Sequence, residues 1–151
     1  AWQDRNVLSF PTAISTDGYV YYHENGLNDA SVNPPAALTP YIESSVIDMG
    51  DGDQFMFATR IIPDLTFRNS TNAAPTATMT LKARNFPGGA YFASDADPVT
   101  KTASLPVEQF TNELYVRLRG RSMSIKIESN QTDTAWRLGD PRLDLRTDGR
   151  K

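Results

Sequence analysis

The sequence predicts an all-β protein, an antiparallel β-sandwich or open barrel, and three observations carry that expectation. Runs rich in Val, Ile, Thr, Tyr and Phe alternate between apolar and polar side chains, the signature of strands with one wet face. Ten prolines and nine glycines are spread along the chain, which favours short strands and turns over long helices. No stretch carries the apolar period of an amphipathic helix. With 151 residues, 15 of them aromatic, and a hydrophobic fraction of 39%, the chain suffices for the core of one ordinary domain.

Residues 1–24 read as one or two short strands, with Gly18 opening the β-prone run Tyr19-Val20-Tyr21-Tyr22-His23. Residues 25–40, NGLNDASVNPPAALTP, show no period and read as a linker. Residues 41–151 are then the sandwich domain. Asp51-Gly52, between YIESSVIDM and QFMFATRIIPDLTF, is the pair favoured in a two-residue hairpin turn. RNSTNAAP is a loop. TATMTLKAR alternates, placing Ala77, Met79, Leu81 and Ala83 on one face and Thr76, Thr78, Thr80 and Lys82 on the other. Residues 85–106 read as a long irregular connection with a short strand around Tyr91-Phe92, and Val107–Phe110 as either a helical turn or a strand.

The next segment invites a hairpin about Gly120-Arg121. Counting outward pairs Leu118 with Met123, Val116 with Ile125 and Leu114 with Ile127, apolar against apolar. A glycine at the first loop position suits a turn needing positive φ. The rival is one long strand bulged at Gly120, since an extra residue also flips the parity; the hairpin is the favoured reading. Strands around Ala135–Leu138 and Arg142–Arg146, separated by a Gly-Asp-Pro turn, complete the chain. The predicted core is Leu114, Val116, Leu118, Met123, Ile125, Ile127, Phe55, Phe57, Met79, Leu81 and Trp136.

The chain has no cysteine, which removes disulfides, thiolate nucleophiles and zinc–thiolate sites. A net charge of −3 with both signs interspersed gives no general affinity for nucleic acid. No run approaches the ~20 apolar residues of a membrane span, and no leader pattern is present. The start at Ala1, without methionine, reads as a fragment or a processed product.

Few residues suggest chemistry. His23 is the one histidine, and its neighbour Glu24 points to the opposite strand face, so a strand histidine is favoured over a general base. Asp48, Asp51 and Asp53 are a weak calcium candidate. They depart from the EF-hand spacing, and the same letters build tight turns. Arg117, Arg119 and Arg121 form a basic comb that could meet phosphate or sulfate, but nearby Glu108, Glu113, Glu128, Asp140 and Asp144 favour interstrand or intersubunit ion pairs. Trp2, Trp136, Tyr19, Tyr21 and Tyr22 could stack sugars, though such residues are more often core or interface anchors. Glu43, Asp48 and Asp64 are carboxylates that no spacing pairs for glycoside hydrolysis. Asn69-Ser70-Thr71 and Asn130-Gln131-Thr132 match the glycosylation sequon. No P-loop, Rossmann fingerprint, zincin or nucleophile-elbow motif occurs, so no catalytic residue and no cofactor are assigned.

The strings YIESSVIDMGDGDQFMFATRIIPDLTF, MTLKARNFPGG, PVEQFTNELYVRLRGRSMSIKIESN and WRLGDPRLDLRTDGRK together resemble the C-terminal region of a β-rich tail structural protein of short-tailed bacteriophages and prophages, of the hub, nozzle or tail-tube type. WQDRNVLSFPTAISTDGYVYYHENG resembles the last blade-like repeat leading into that region, making residues 1–24 the remnant of an upstream propeller-like unit. The resemblance implies a non-enzymatic virion component made in the bacterial host cytoplasm. It also implies other tail proteins as partners and a homo-oligomer, a hexameric ring of the parent protein. Genomic DNA would pass nearby without sequence-specific binding. Two other classes stand beside it: a carbohydrate-binding β-sandwich aiding adsorption to host polysaccharide, and, less favoured, a depolymerase-like hydrolase.

Overall fold

A computed structural model describes residues 2–4, 10–86, 89, 91 and 101–150. The described residues contain strands and turns and no helix, as predicted. Strands β1 (Trp2–Gln3), β2 (Thr12–Ile14) and β3 (Val20–Tyr22) form a small antiparallel sheet in that order. β4 (Asn28–Asp29) and β5 (Ala36–Ala37) pair within the predicted linker. β6 (Tyr41–Glu43), β7 (Ile47–Asp48), β8 (Met56–Ile62) and β9 (Leu65–Thr66) follow. Then come β10 (Thr76–Arg84), β11 (Thr102–Glu108), β12 (Leu114–Gly120) and β13 (Ser122–Glu128). β14 (Arg137–Leu138), paired with β9, and β15 (Arg142–Thr147) complete the chain.

Two sheets make the sandwich. One runs β11-β10-β13-β6, with β7 also on β13; the other runs β12-β8-β15. Strand alternation sends one side chain in two toward the partner sheet. Ala77, Met79, Leu81 and Ala83 of β10 and Met123, Ile125 and Ile127 of β13 thus meet Leu114, Val116 and Leu118 of β12 and Met56, Ala58 and Ile61 of β8 in one core. The alternation read for residues 76–83 holds, although Thr80 on its outer side is buried as well, bonded to Ser104 at 2.9 Å between the hydroxyls.

The hairpin about Gly120-Arg121 is not formed. β12 pairs with β8, and β13 pairs with β10, β6 and β7. Between Gly120, opposite Met56, and Ser122, opposite Arg84 and Asp48, the chain crosses from one sheet to the other. The Arg121 amide donates to the Arg84 carbonyl at 2.8 Å as it does so. The rival reading of one long, interrupted strand lies nearer the truth: the parity flip marks a corner where a ribbon changes sheets. Gly120 is there for closeness, since an added Cβ would meet the Ala83 Cβ at 2.8 Å and the Arg84 carbonyl oxygen at 3.0 Å.

Other expectations are corrected too. Asp51-Gly52 does not turn a hairpin, because β7 joins one sheet and β8 the other. Its glycines do take positive φ, 60° at Gly50 and 76° at Gly52, as a tight turn requires. The long irregular connection ends earlier than expected, because β11 starts at Thr102 and pairs with β10 over seven residues. Pro106 sits on this edge strand, where a missing amide hydrogen is tolerated. Val107 and Glu108 are strand, not helix. Tyr91 lies at a bend, and its predicted strand partner Phe92 lies outside the described residues. Phe57 and Trp136 are only partly buried, whereas Met56, one residue from Phe57, is wholly buried.

The linker region is tied to the sandwich by a reciprocal clamp. Asn28 Nδ2 donates to Asp133 Oδ1 at 2.8 Å, and the Asp133 amide donates to Asn28 Oδ1 at 2.7 Å. The Asp133 carbonyl in turn accepts the amides of Thr71 and Asn72, both at 3.0 Å.

Candidate functional site

The outer face of β12-β8-β15 gathers most of the chain's arginines. Side chains alternate along β12, so Tyr115, Arg117 and Arg119 leave the core together while Leu114, Val116 and Leu118 enter it. On β15, Arg142, Asp144 and Arg146 are the exposed alternates. Cross-strand register sets Arg119 and Arg146 opposite Phe57 on either side, an Arg-Phe-Arg row.

At one end of this face the arginines are locked. Phe55 is held in line by exchange of backbone hydrogen bonds, its amide to the Gly149 carbonyl at 2.7 Å and the Asp148 amide to its own carbonyl at 2.8 Å. The Arg119 and Arg121 guanidinium carbons stand 3.8 and 4.6 Å from its ring centroid, over an aromatic face that attracts cations. Arg119 pairs with the Asp148 carboxylate and donates to the Asp148 carbonyl at 3.1 Å. Arg121 donates to the carbonyls of Asp53 and, at 2.8 Å, Arg150, while Arg150 pairs with Asp53 at 3.2 Å. The expectation of ion pairing is right in kind, but the partners are Asp148 and backbone carbonyls, not the acids closest in sequence.

At the other end Arg60 bridges Glu113 at 3.0 Å and Asp144 at 2.7 Å, which raises its pKa, Asp144 first. Glu113 also accepts the Tyr115 hydroxyl at 2.5 Å. That bond first, and Arg60 second, hold the Glu113 carboxyl below the ordinary carboxylate range, and the Tyr115 phenol is raised in return.

Between the two clusters lies a shallow depression lined by Phe57, Thr59, Tyr115, Val116, Arg117 and Arg146. Two bulges open it. β12 spends three residue steps from Tyr115 to Leu118 where β8 spends two, from Arg60 to Ala58; β15 covers that same stretch in a single step, Asp144 to Leu145. Such bulges bend a strand and re-aim its side chains. Arg117 and Arg146 make no hydrogen bond or ion pair among the described residues, so both are available to a partner. Arg146 was not singled out from sequence, and Phe57 was expected in the core rather than on this face. The Arg-x-Asp-x-Arg alternation of residues 142–146 was the signal that could have found the first.

The remaining candidates are not brought together. Asp48 ends β7, and Asp53 faces Arg150; no group of three metal-ligating side chains occurs among the described residues. Glu43 pairs with Lys82 at 2.7 Å, while Asp64 accepts the Asp140 amide at 2.6 Å. His23 sets its ring beside Trp2 in a tilted arrangement, centroids 4.9 Å apart and planes at 59°. Trp136 packs against the core from loop side. Asn69 and Asn130 of the two sequons are exposed in loops. The tyrosine cluster does form one surface: Tyr19, Tyr21 and Tyr22 line an open concavity with Ile14, Val20 and Leu38.

No protein-family model matches the chain, and no curated protein shows a significant match to it.

Proposed function

We propose that this chain is a non-enzymatic structural component of a bacteriophage tail, of the hub or nozzle type. In this reading copies of the parent protein assemble in a ring, a hexamer, with other tail proteins around the DNA exit channel of the virion. The observation that carries the reading is the state of the N-terminal sheet. Its strands are two or three residues long, and Trp2, Ile14, Tyr19, Val20 and Tyr22 are each at least half exposed. A sheet this small with its apolar side chains in water needs a cover to be stable. An assembly supplies one. The resemblance of residues 41–151 to tail proteins names the kind of assembly. No helix among the described residues is long and apolar enough to cross a membrane.

Light scattering or native mass spectrometry of the full chain over a wide concentration range tests the reading. A mass several times that of one chain is expected; a monomer throughout overturns it.

A second reading, a module that binds host polysaccharide, is favoured by the tyrosine-lined concavity. It requires glycan binding that is lost in Tyr22→Ala, and array screening of the full chain decides it.

A further inference from the structure

We propose that the chain associates head to tail, the arginine face of β12-β8-β15 on one copy receiving the acidic, tyrosine-bearing N-terminal face of the next. The inference rests on the reading of this chain as a self-assembling building block and specifies which surfaces meet.

Charge is divided along the chain. Residues 1–40 carry four carboxylates (Asp4, Asp17, Glu24 and Asp29) against Arg5 alone, a net −3. Residues 41–151 carry fourteen basic and fourteen acidic side chains, a net of zero, so the sandwich is positive only locally. That local charge is displayed on the outer face of β12-β8-β15, where Arg117 and Arg146 stand around the depression without an ion pair among the described residues. On the N-terminal face, Glu24 and Asp29 line the concavity with the exposed Tyr19, Val20 and Tyr22, and Asp17 accepts the Tyr19 amide and the Tyr21 hydroxyl beside them. Asp17 is held ionised below the ordinary range by the Tyr19 amide first and Ser15 second, and Asp29 by the Ser31 hydroxyl and amide.

The chemistry of the two faces is complementary in two respects. Carboxylates meet guanidiniums, and tyrosine rings offer the flat faces on which guanidiniums stack. Within one chain these surfaces make no hydrogen bond or ion pair with each other among the described residues. Contact between like faces is disfavoured, because it would set Arg117 and Arg146 against their own copies at a cost in charge repulsion. A contact between unlike faces leaves one of each free on every added copy, so it continues until a ring closes. A nucleic acid is the poorer occupant: Glu113, Asp144 and Asp148 interrupt the positive track that a phosphate chain would follow. Turning the arginines to a neighbour also keeps them from the path of DNA.

The test compares the full chain with Arg117→Glu/Arg146→Glu, with Glu24→Lys, and with all three combined, by native mass in low and high salt. Thermal midpoints verify folding; both arginines are solvent-facing, so the variants are expected to melt with the parent. Self-association should weaken as salt rises and at least tenfold in the double variant, and recover in part when Glu24→Lys is added. Assembly indifferent to salt and to the double variant overturns the head-to-tail contact while leaving the structural role standing. A parent chain that stays monomeric overturns both. Binding of single-stranded DNA by the parent, lost in the double variant without any change of mass, reassigns the face to nucleic acid.

Discussion

Gly120 sits against Ala83 so tightly that a methyl group on the glycine would stand 2.8 Å from the alanine Cβ. The contact lies where the ribbon leaves one sheet for the other, and the Arg84 backbone closes the remaining space. Gly120→Ala is therefore expected to destabilise the fold by about 1–3 kcal/mol, the usual cost of overpacking. Urea unfolding measures it. Ala83→Gly in the same chain should return part of the loss, a coupling that independent sites would not show.

Met56 and Phe57 are neighbours on opposite faces of β8. Met56 is fully enclosed between the sheets, and Phe57 is half-buried on the outer face beneath the arginines. Met56→Ala should cost about 2–5 kcal/mol, and Phe57→Ala clearly less. Equal losses in chemical denaturation would contradict the assigned strand parity.

Glu113 titrates below its ordinary value of 4.5 because the folded protein favours the carboxylate, through the Tyr115 hydroxyl first and then Arg60. A lowered folded-state pKa means that this contribution is complete above the unfolded value and fades as pH falls through the folded one. Tyr115→Phe should move the Glu113 midpoint upward, toward 4.5. Carboxyl-resolved NMR titration reads it directly, and an unchanged midpoint would assign the shift to Arg60 alone.

Calcium is expected to leave the thermal midpoint unchanged. The ion takes six to eight oxygens, whereas Asp53 is turned to Arg150 and Asp48 closes a strand beside Gly52. A rise of several degrees in millimolar calcium, lost in Asp51→Asn, would restore the metal reading of this turn.

Asp133→Gly keeps the left-handed backbone, φ 59°, and removes the carboxylate that holds Asn28. Amide exchange across residues 28–37 should accelerate while β10 and β13 remain protected. Uniform acceleration would show that the clamp supports the sandwich itself.

What could be read from residues alone was whatever depends on local alternation. β10 announces itself because Ala77, Met79, Leu81 and Ala83 are separated by threonines and a lysine. β8 shows itself as a β-rich run but not its inward face, because QFMFATRII is apolar on both parities and Phe55 and Phe57 outweigh Met56 and Ala58 by size. Thr102–Glu108 was missed because a proline within a mixed run argues against a strand unless the strand is an edge, and edges are not written locally. The flip at Gly120 is the same signal whether a chain turns back or changes sheets; only the distant partners β8 and β10 distinguish the two. The arginine comb was visible as a pattern, but its sorting into locked Arg119 and Arg121 and unpaired Arg117 depends on residues 146–150 folding beside it.

The crossing at Arg121 also has a mechanical meaning. Residues 114–128 are an outer strand of one sheet and an inner strand of the other, so one length of backbone is common property of both layers. Force applied to either layer is transmitted along covalent bonds to its counterpart. Neither can peel away alone, and the sandwich should yield to tension in a single event, with no partly opened layer on the way.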